Sequence, residues 1–147
     1  MKNVLNISRS IKKFLIFAAV WSCAVGSACA DEHVLNPAQS SYLHSLIKTE
    51  LRNLDDQNYV NSNWTEAQRV AEFICRPLAQ KYVKSLFPKV DKVIMDQGKT
   101  NKQRLISSTR LTGNGQYRSG NSWTPFDYEC QLSEKTGKAL KFNFLSK

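Results

Sequence analysis

The sequence predicts an α+β domain from three observations. Apolar residues recur at helical spacing through residues 37–86. The period drops to two beyond residue 102. Two cysteines, one in each region, stand where a single bond can join them. The expected architecture is two N-terminal helices, the second kinked at Pro77, packed on one face of a C-terminal antiparallel sheet of three to four strands.

The first helix is expected to start at Asn36-Pro37, with asparagine as N-cap and proline at the first helical position. Leu43, Leu46, Ile47, Leu51 and Leu54 form its stripe. Asp55-Asp56-Gln57-Asn58 ends that pattern, and the chain to Asn63 reads as a polar loop anchored by Tyr59 and Val60. The second helix opens near Asn63 or Thr65, with Asn63 and Glu66 spaced as a capping box. Its stripe is Ala67, Val70, Ala71, Ile74, Cys75, Leu78, Tyr82 and Leu86, so Cys75 faces inward. Pro77 removes a backbone donor and should kink or split the helix just upstream. Val90, Val93 and Ile94 form a short apolar patch of unassigned type, and residues 97–101 a turn.

Strand alternation follows. In residues 104–111, Leu105 and Leu111 share a face with Ser107 and Thr109. In residues 123–132, Phe126, Tyr128, Cys130 and Leu132 face one way, and Asp127, Glu129 and Gln131 the other. In residues 139–145, Leu140, Phe142 and Phe144 are expected inside, with a hairpin loop containing Gly137 before them. Gly113 and Gly115 sit in G-x-G-x-x-R. A nucleotide cradle needs a third glycine and a following helix, but Arg118 and a strand stand there, so the pair reads as a turn or bulge.

Residues 1–30 have the layout of a secretory signal peptide. A basic stretch with Lys2, Arg9, Lys12 and Lys13 precedes an uncharged apolar run over residues 14–25, then Ala28-Cys29-Ala30. The competing membrane anchor needs a longer run than this one. Lipidation of Cys29 is the other alternative, with Gly26 where a lipobox carries a bulky aliphatic residue. The expectation is a periplasmic or secreted protein whose mature part, residues 31–147, is a single α+β domain and not an integral membrane protein. The whole chain carries +9. The leader takes four basic residues, leaving 17 basic against 12 acidic, net +5. Cys75 and Cys130 then remain in a compartment that permits disulfides, and most simply bond to each other; neither a C-x-x-C nor a zinc spacing supports a redox or metal site.

The order of a helix with a buried cysteine, G-x-G-x-x-R, W-x-x-F-x-Y-x-C and an alternating last strand rests on Cys75, Gly113, Gly115, Arg118, Trp123, Phe126, Tyr128, Cys130 and Phe142. It resembles small exported bacterial domains of unknown function. The Y-x-C strand is also similar to those of periplasmic lysozyme-inhibitor proteins. The resemblance implies a bacterial envelope protein and supplies no catalytic residues.

Catalytic motifs are absent from the sequence, and no cofactor is implied. Its histidines are His33 and His44; His44 reads as a surface or packing residue. Were the mature chain to begin Asp31-Glu32-His33, its amine, two amides and the His33 imidazole could form a square-planar site for copper(II) or nickel(II), although coincidence is the simpler reading. Asp127 and Glu129 would become a paired-carboxylate site only if their face were covered.

Charge is more informative. Residues 31–75 carry −4, residues 76–110 carry +7 and residues 111–147 carry +2. Lys81, Lys84, Lys89 and Lys92 are the expected contacts for an anionic partner, an envelope polymer or lipid headgroup; a merely solvated face is the plainer reading. Export disfavours genomic DNA. Tyr117, Arg118 and Trp123 can form a protein-binding hot spot or, equally, the rim of the core. The expected function is a non-enzymatic binding module for an anionic or protein partner; the alternative is a small periplasmic hydrolase or enzyme inhibitor.

Overall fold

A computed structural model describes residues 34–98 and 102–145. The signal-peptide reading of residues 1–30 and the metal reading of His33 fall outside the described residues. The fold is α+β. Its elements in chain order are α1 (Pro37–Glu50), α2 (Leu54–Asn63), α3 (Glu66–Arg69), a π-helical segment (Val70–Cys75), α4 (Arg76–Leu86), β1 (Val90–Ile94), β2 (Arg104–Ser107), β3 (Arg110–Ser119), β4 (Ser122–Leu132) and β5 (Ala139–Phe144).

Asn36 caps α1 as its sequence demands. Its side chain accepts from the Gln39 N–H, Gln39 reciprocates to the Asn36 N–H, and Pro37 opens the first turn. Gln39 is itself fully buried. Its Nε2 donates to the Ser108 carbonyl at 2.6 Å and the Ser133 carbonyl at 3.3 Å, tying the start of α1 to two loops of the sheet. Buried amides need such partners, and here one side chain serves two backbone acceptors.

The helical part has three runs rather than two. α1 ends at Glu50, because Leu51 turns to an extended conformation, and Leu54, expected on its stripe, begins α2 with its side chain exposed. The segment expected as a polar loop is helical. Asn53 caps it by accepting from the Asp55 N–H, and Asp55 and Asp56 place negative charge at the positive end of the helix. Only Val60 of α2 is buried, so the helix lacks the stripe that would announce it. The next capping box is Thr65 with Gln68, two residues beyond Asn63 with Glu66.

From residue 66 to residue 86 the helix is unbroken. The Arg76 N–H reaches back five residues, to the Ala71 carbonyl, and Pro77 lies in the first turn of α4. A proline ring crowds the carbonyl four residues before it. The wider π-helical turn just upstream absorbs that crowding, where the sequence had suggested a kink.

All strand pairings are antiparallel, in the order β1-β3-β4-β5, with β2 also on β3. The single strand expected over residues 104–111 is split by a turn at Ser108-Thr109 into β2 and the start of β3, with Leu105 opposite Leu111. β1 pairs with the C-terminal half of β3 and β2 with its N-terminal end, so the two lie end to end along one edge. Side chains bridge the gap between them. Gln97 Nε2 donates to the Gly115 carbonyl at 2.7 Å, Gln103 Nε2 to the Asn114 carbonyl at 3.3 Å, and Asn114 Oδ1 accepts from the Lys102 N–H at 2.9 Å.

Gly113 and Gly115 are not in a turn. They lie inside β3, opposite Tyr128 and Phe126. A Cβ on Gly113 would come within 2.6 Å of the Tyr128 hydroxyl, and one on Gly115 within 2.7 Å of both Phe126 Cζ and the Ile94 carbonyl oxygen. These glycines make room for rings that lie across the strand. The hairpin turn falls later, where Gly120 has φ +61°.

Phe126, Tyr128, Cys130 and Leu132 are all buried, as their alternation predicts. In β5 Phe142 is buried but Leu140 is 66% exposed. Leu132 pairs with Ala139 and Gln131 with Lys141, so Leu140 is the extra residue of a bulge and leaves the inward face. The helices supply Leu43, Ile47, Val70, Ile74 and Val83 to the same core. Cys75 and Cys130 are disulfide-bonded, with Cα atoms 6.2 Å apart, and both are fully buried. No helix among the described residues is long and apolar enough to cross a membrane.

Candidate functional site

The lysines singled out by charge are all exposed. Lys81 and Lys84 lie on α4, Lys89 in the turn after it and Lys92 on β1. Among the described residues none of the four enters an ion pair, whereas Arg76, Arg110 and Arg118 all do. Val90 pairs with Ser119, and the Ser119 hydroxyl reaches the Lys89 carbonyl, so the turn after α4 lies beside the β3–β4 hairpin tip. The C-terminal end of α4 and the turn after it present Lys84 and Lys89 together with Leu86 and Phe87, which are 49% and 40% exposed; Trp123, also 40% exposed, lies with Arg118 on the other face of the sheet.

Tyr117, Arg118 and Trp123 do not form one surface. Tyr117 packs on the core side of β3, stacked between Phe87 at 5.0 Å and Phe126 at 6.1 Å, ring centroid to centroid. It belongs to the core rim and supports Phe87 from beneath. Arg118, the next residue along the strand, points to the other face. There it lies 5.6 Å from the Trp123 ring centroid and bonds Asp91 at 2.7 Å. The hydrogen bond from Arg118 holds the Asp91 carboxyl below its ordinary value.

Glu129 is paired with Arg110 at 2.7 Å, and Asp127 is half-buried; neither borders the cavities described next. His44 is exposed on α1. Among the described residues no group of three or more His, Cys, Asp or Glu side chains is placed to hold a metal.

A groove of about 300 Å³ lies between α2 and the π-helical segment. It escaped the sequence because its residues come from α1, α2, the π-helical segment and α4. Arg76 spans Glu50 at 2.9 Å and Glu72 at 2.7 Å along one wall. Trp64 and Phe73, with ring centroids 6.3 Å apart, form another. Behind Glu72, a cavity of about 20 Å³ is bounded by Gln68, Met95, Asp96 and Gln103, with Gln103 Oε1 buried and without a hydrogen-bond partner among the described residues. The π-helical turn offered one signal, since such turns are frequent at functional sites.

Burial raises the Glu72 carboxyl above its ordinary value. Arg76 on the same helix opposes the shift, Asp96 and Glu50 reinforce it, and the Met95 N–H opposes it. A carboxyl raised in the folded state adds stability that is full below its unfolded pKa and is lost as pH rises through the folded one. Glu72→Gln should therefore unfold at a higher temperature than the native protein at pH 7. The advantage should vanish below about pH 4, where both side chains are neutral. Thermal melts across this range check it; a variant less stable at pH 7 would show that the Arg76 ion pair outweighs burial.

Fold and sites together define a small disulfide-pinned α+β domain with one lysine-rich apolar end and one acidic aromatic groove. No known protein family, curated protein or solved structure matches the chain.

Proposed function

We propose that the protein is an exported component of the bacterial envelope that acts without catalysis, docking on an anionic lipid surface through its lysine-rich end. The observation that carries this reading is the juxtaposition, at the end of α4, of Lys84 and Lys89, neither in an ion pair among the described residues, with exposed Leu86 and Phe87. Lysines attract headgroup phosphates at about 1 kcal/mol each, and exposed aliphatic and aromatic side chains favour the boundary beneath them. A solvated basic face alone would not place aromatic and aliphatic side chains beside the charges. The same feature favours a lipid headgroup over a purely polar anionic polymer. Export is supported by the leader-like residues 1–30 and by a buried disulfide, which suits an oxidising compartment. The hydrolase or inhibitor reading draws no support from Asp127 and Glu129, which border neither cavity described above.

Vesicle flotation tests the proposal. The oxidised protein should bind vesicles containing phosphatidylglycerol and not vesicles of phosphatidylcholine alone, and salt should weaken binding. Lys84→Glu with Lys89→Glu should reduce affinity by about 30-fold or more, the equivalent of two lost lysine contributions. Phe87→Ser should weaken binding even at high salt. Equal binding to both vesicle types would overturn the reading, and retention only by an anionic polymer would replace lipid with polymer.

A further inference from the structure

The groove beside the π-helical segment shares no residue with the lysine-rich end and calls for a different ligand. Its volume is at the lower limit of small-molecule sites, which are concave, mostly apolar and carry a few placed polar groups. Its charged lining is three carboxylates, Glu50, Asp56 and Glu72, against the single guanidinium of Arg76. Arg76 is already engaged, by Glu50 Oε2 and Glu72 Oε1, so it offers little to an anion. Asp56 forms no ion pair among the described residues and is exposed at the groove edge. The remaining walls are aromatic and aliphatic. Trp64 and Phe73 lie at a tilt to each other, and Tyr59 stands 61% exposed on α2.

We propose that this groove binds an organic ammonium ion with an apolar body, its cation drawn to Asp56 and the Glu50–Glu72 wall and its body laid against Tyr59, Trp64 and Phe73. Charge complementarity selects the cation. Aromatic faces attract ammonium groups as well as covering carbon, so the two kinds of wall act on the same ligand. An anion would meet three carboxylates, and a neutral aromatic would leave their attraction unused.

The test is an NMR titration of the oxidised protein with benzylammonium, benzyl alcohol and benzoate as probes. Benzylammonium should give saturable shifts at Leu51, Tyr59, Phe73 and the Trp64 indole. Benzyl alcohol should bind about ten-fold more weakly, the size of one cation–π contact with one exposed charge contact, and benzoate more weakly still. Asp56→Asn and Tyr59→Ala should each weaken the cation by about five-fold; both side chains are exposed, and a melting temperature lowered by no more than about 5 °C, the loss of one helix-end charge, confirms that the fold survives. Lys84→Glu with Lys89→Glu should leave this binding intact, which separates it from the lipid reading. Benzyl alcohol binding as tightly as the cation, or indifference to both groove variants, overturns the proposal.

Discussion

Replacing Cys75 and Cys130 together by alanine should lower the melting temperature by about 20 °C. The bond joins residues 55 apart in sequence. Chain-entropy arguments give about 4 kcal/mol for a loop of that length, and a domain of this size loses about 5 °C per kcal/mol. The bond also has a structural task that hydrophobic contact alone would share less well. It fastens the π-helical segment, the one stretch of the long helix with irregular hydrogen bonding, to the C-terminal end of β4, where β4 is paired on both sides. Both cysteines are fully buried, so dithiothreitol should leave the folded protein oxidised and act only as it unfolds. Melts of the alanine pair, and of the native protein with and without reductant, check this. A loss below about 5 °C would mean that packing around the bond, rather than the bond, holds the two layers together.

The second large effect is expected at Gly115. Alanine there would drive a methyl group to 2.7 Å from the backbone oxygen of Ile94 on β1 and equally close to the Phe126 ring. A ring can turn; a paired strand cannot shift without breaking its ladder. Overpacking of this kind costs about 3 kcal/mol, or about 15 °C. The atoms nearest a Gly113→Ala methyl all belong to the Tyr128 side chain, and the change should cost about 2 kcal/mol, because that ring is fully buried and has nowhere to swing. Replacing Tyr128 by leucine in the Gly113→Ala background should recover part of the loss, whereas no change at Phe126 should rescue Gly115→Ala. Denaturant titrations of the variants decide between this ordering and a plain strand-propensity effect, in which alanine would stabilise both sites.

These glycines show where sequence reasoning stopped. Their spacing was visible, but their meaning depends on Tyr128 and Phe126 lying opposite, which only the register supplies. Read as a turn or bulge, they concealed that residues 110–119 form one strand paired with β4 in unbroken register. With that strand recognised, the opposite facing of Tyr117 and Arg118 would have followed from alternation alone. Local signals fared better. Asn36-Pro37 capped its helix, the alternation of residues 126–132 marked the buried face, and Cys75 and Cys130 found each other. α2 carried its start signal in Asn53, Asp55 and Asp56, yet a helix with one buried side chain has almost no apolar period to detect. The lysine-rich end was legible as charge, but that Leu86 and Phe87 stay exposed between Lys84 and Lys89 was not, since helical spacing puts Leu86 on the buried stripe. The groove was not legible, since a corner between helices assembles it from distant residues.

Gln39 has a consequence for the order in which the chain matures. The carbonyls it holds lie 69 and 94 residues downstream, and Asn36 reaches a carbonyl 98 residues away. A nascent chain thus makes its first helix early but cannot moor it until the end of β4 has been synthesised. Until then that helix has an amphipathic face with no sheet to cover it, so the chain cannot reach its final packing while it is still being made.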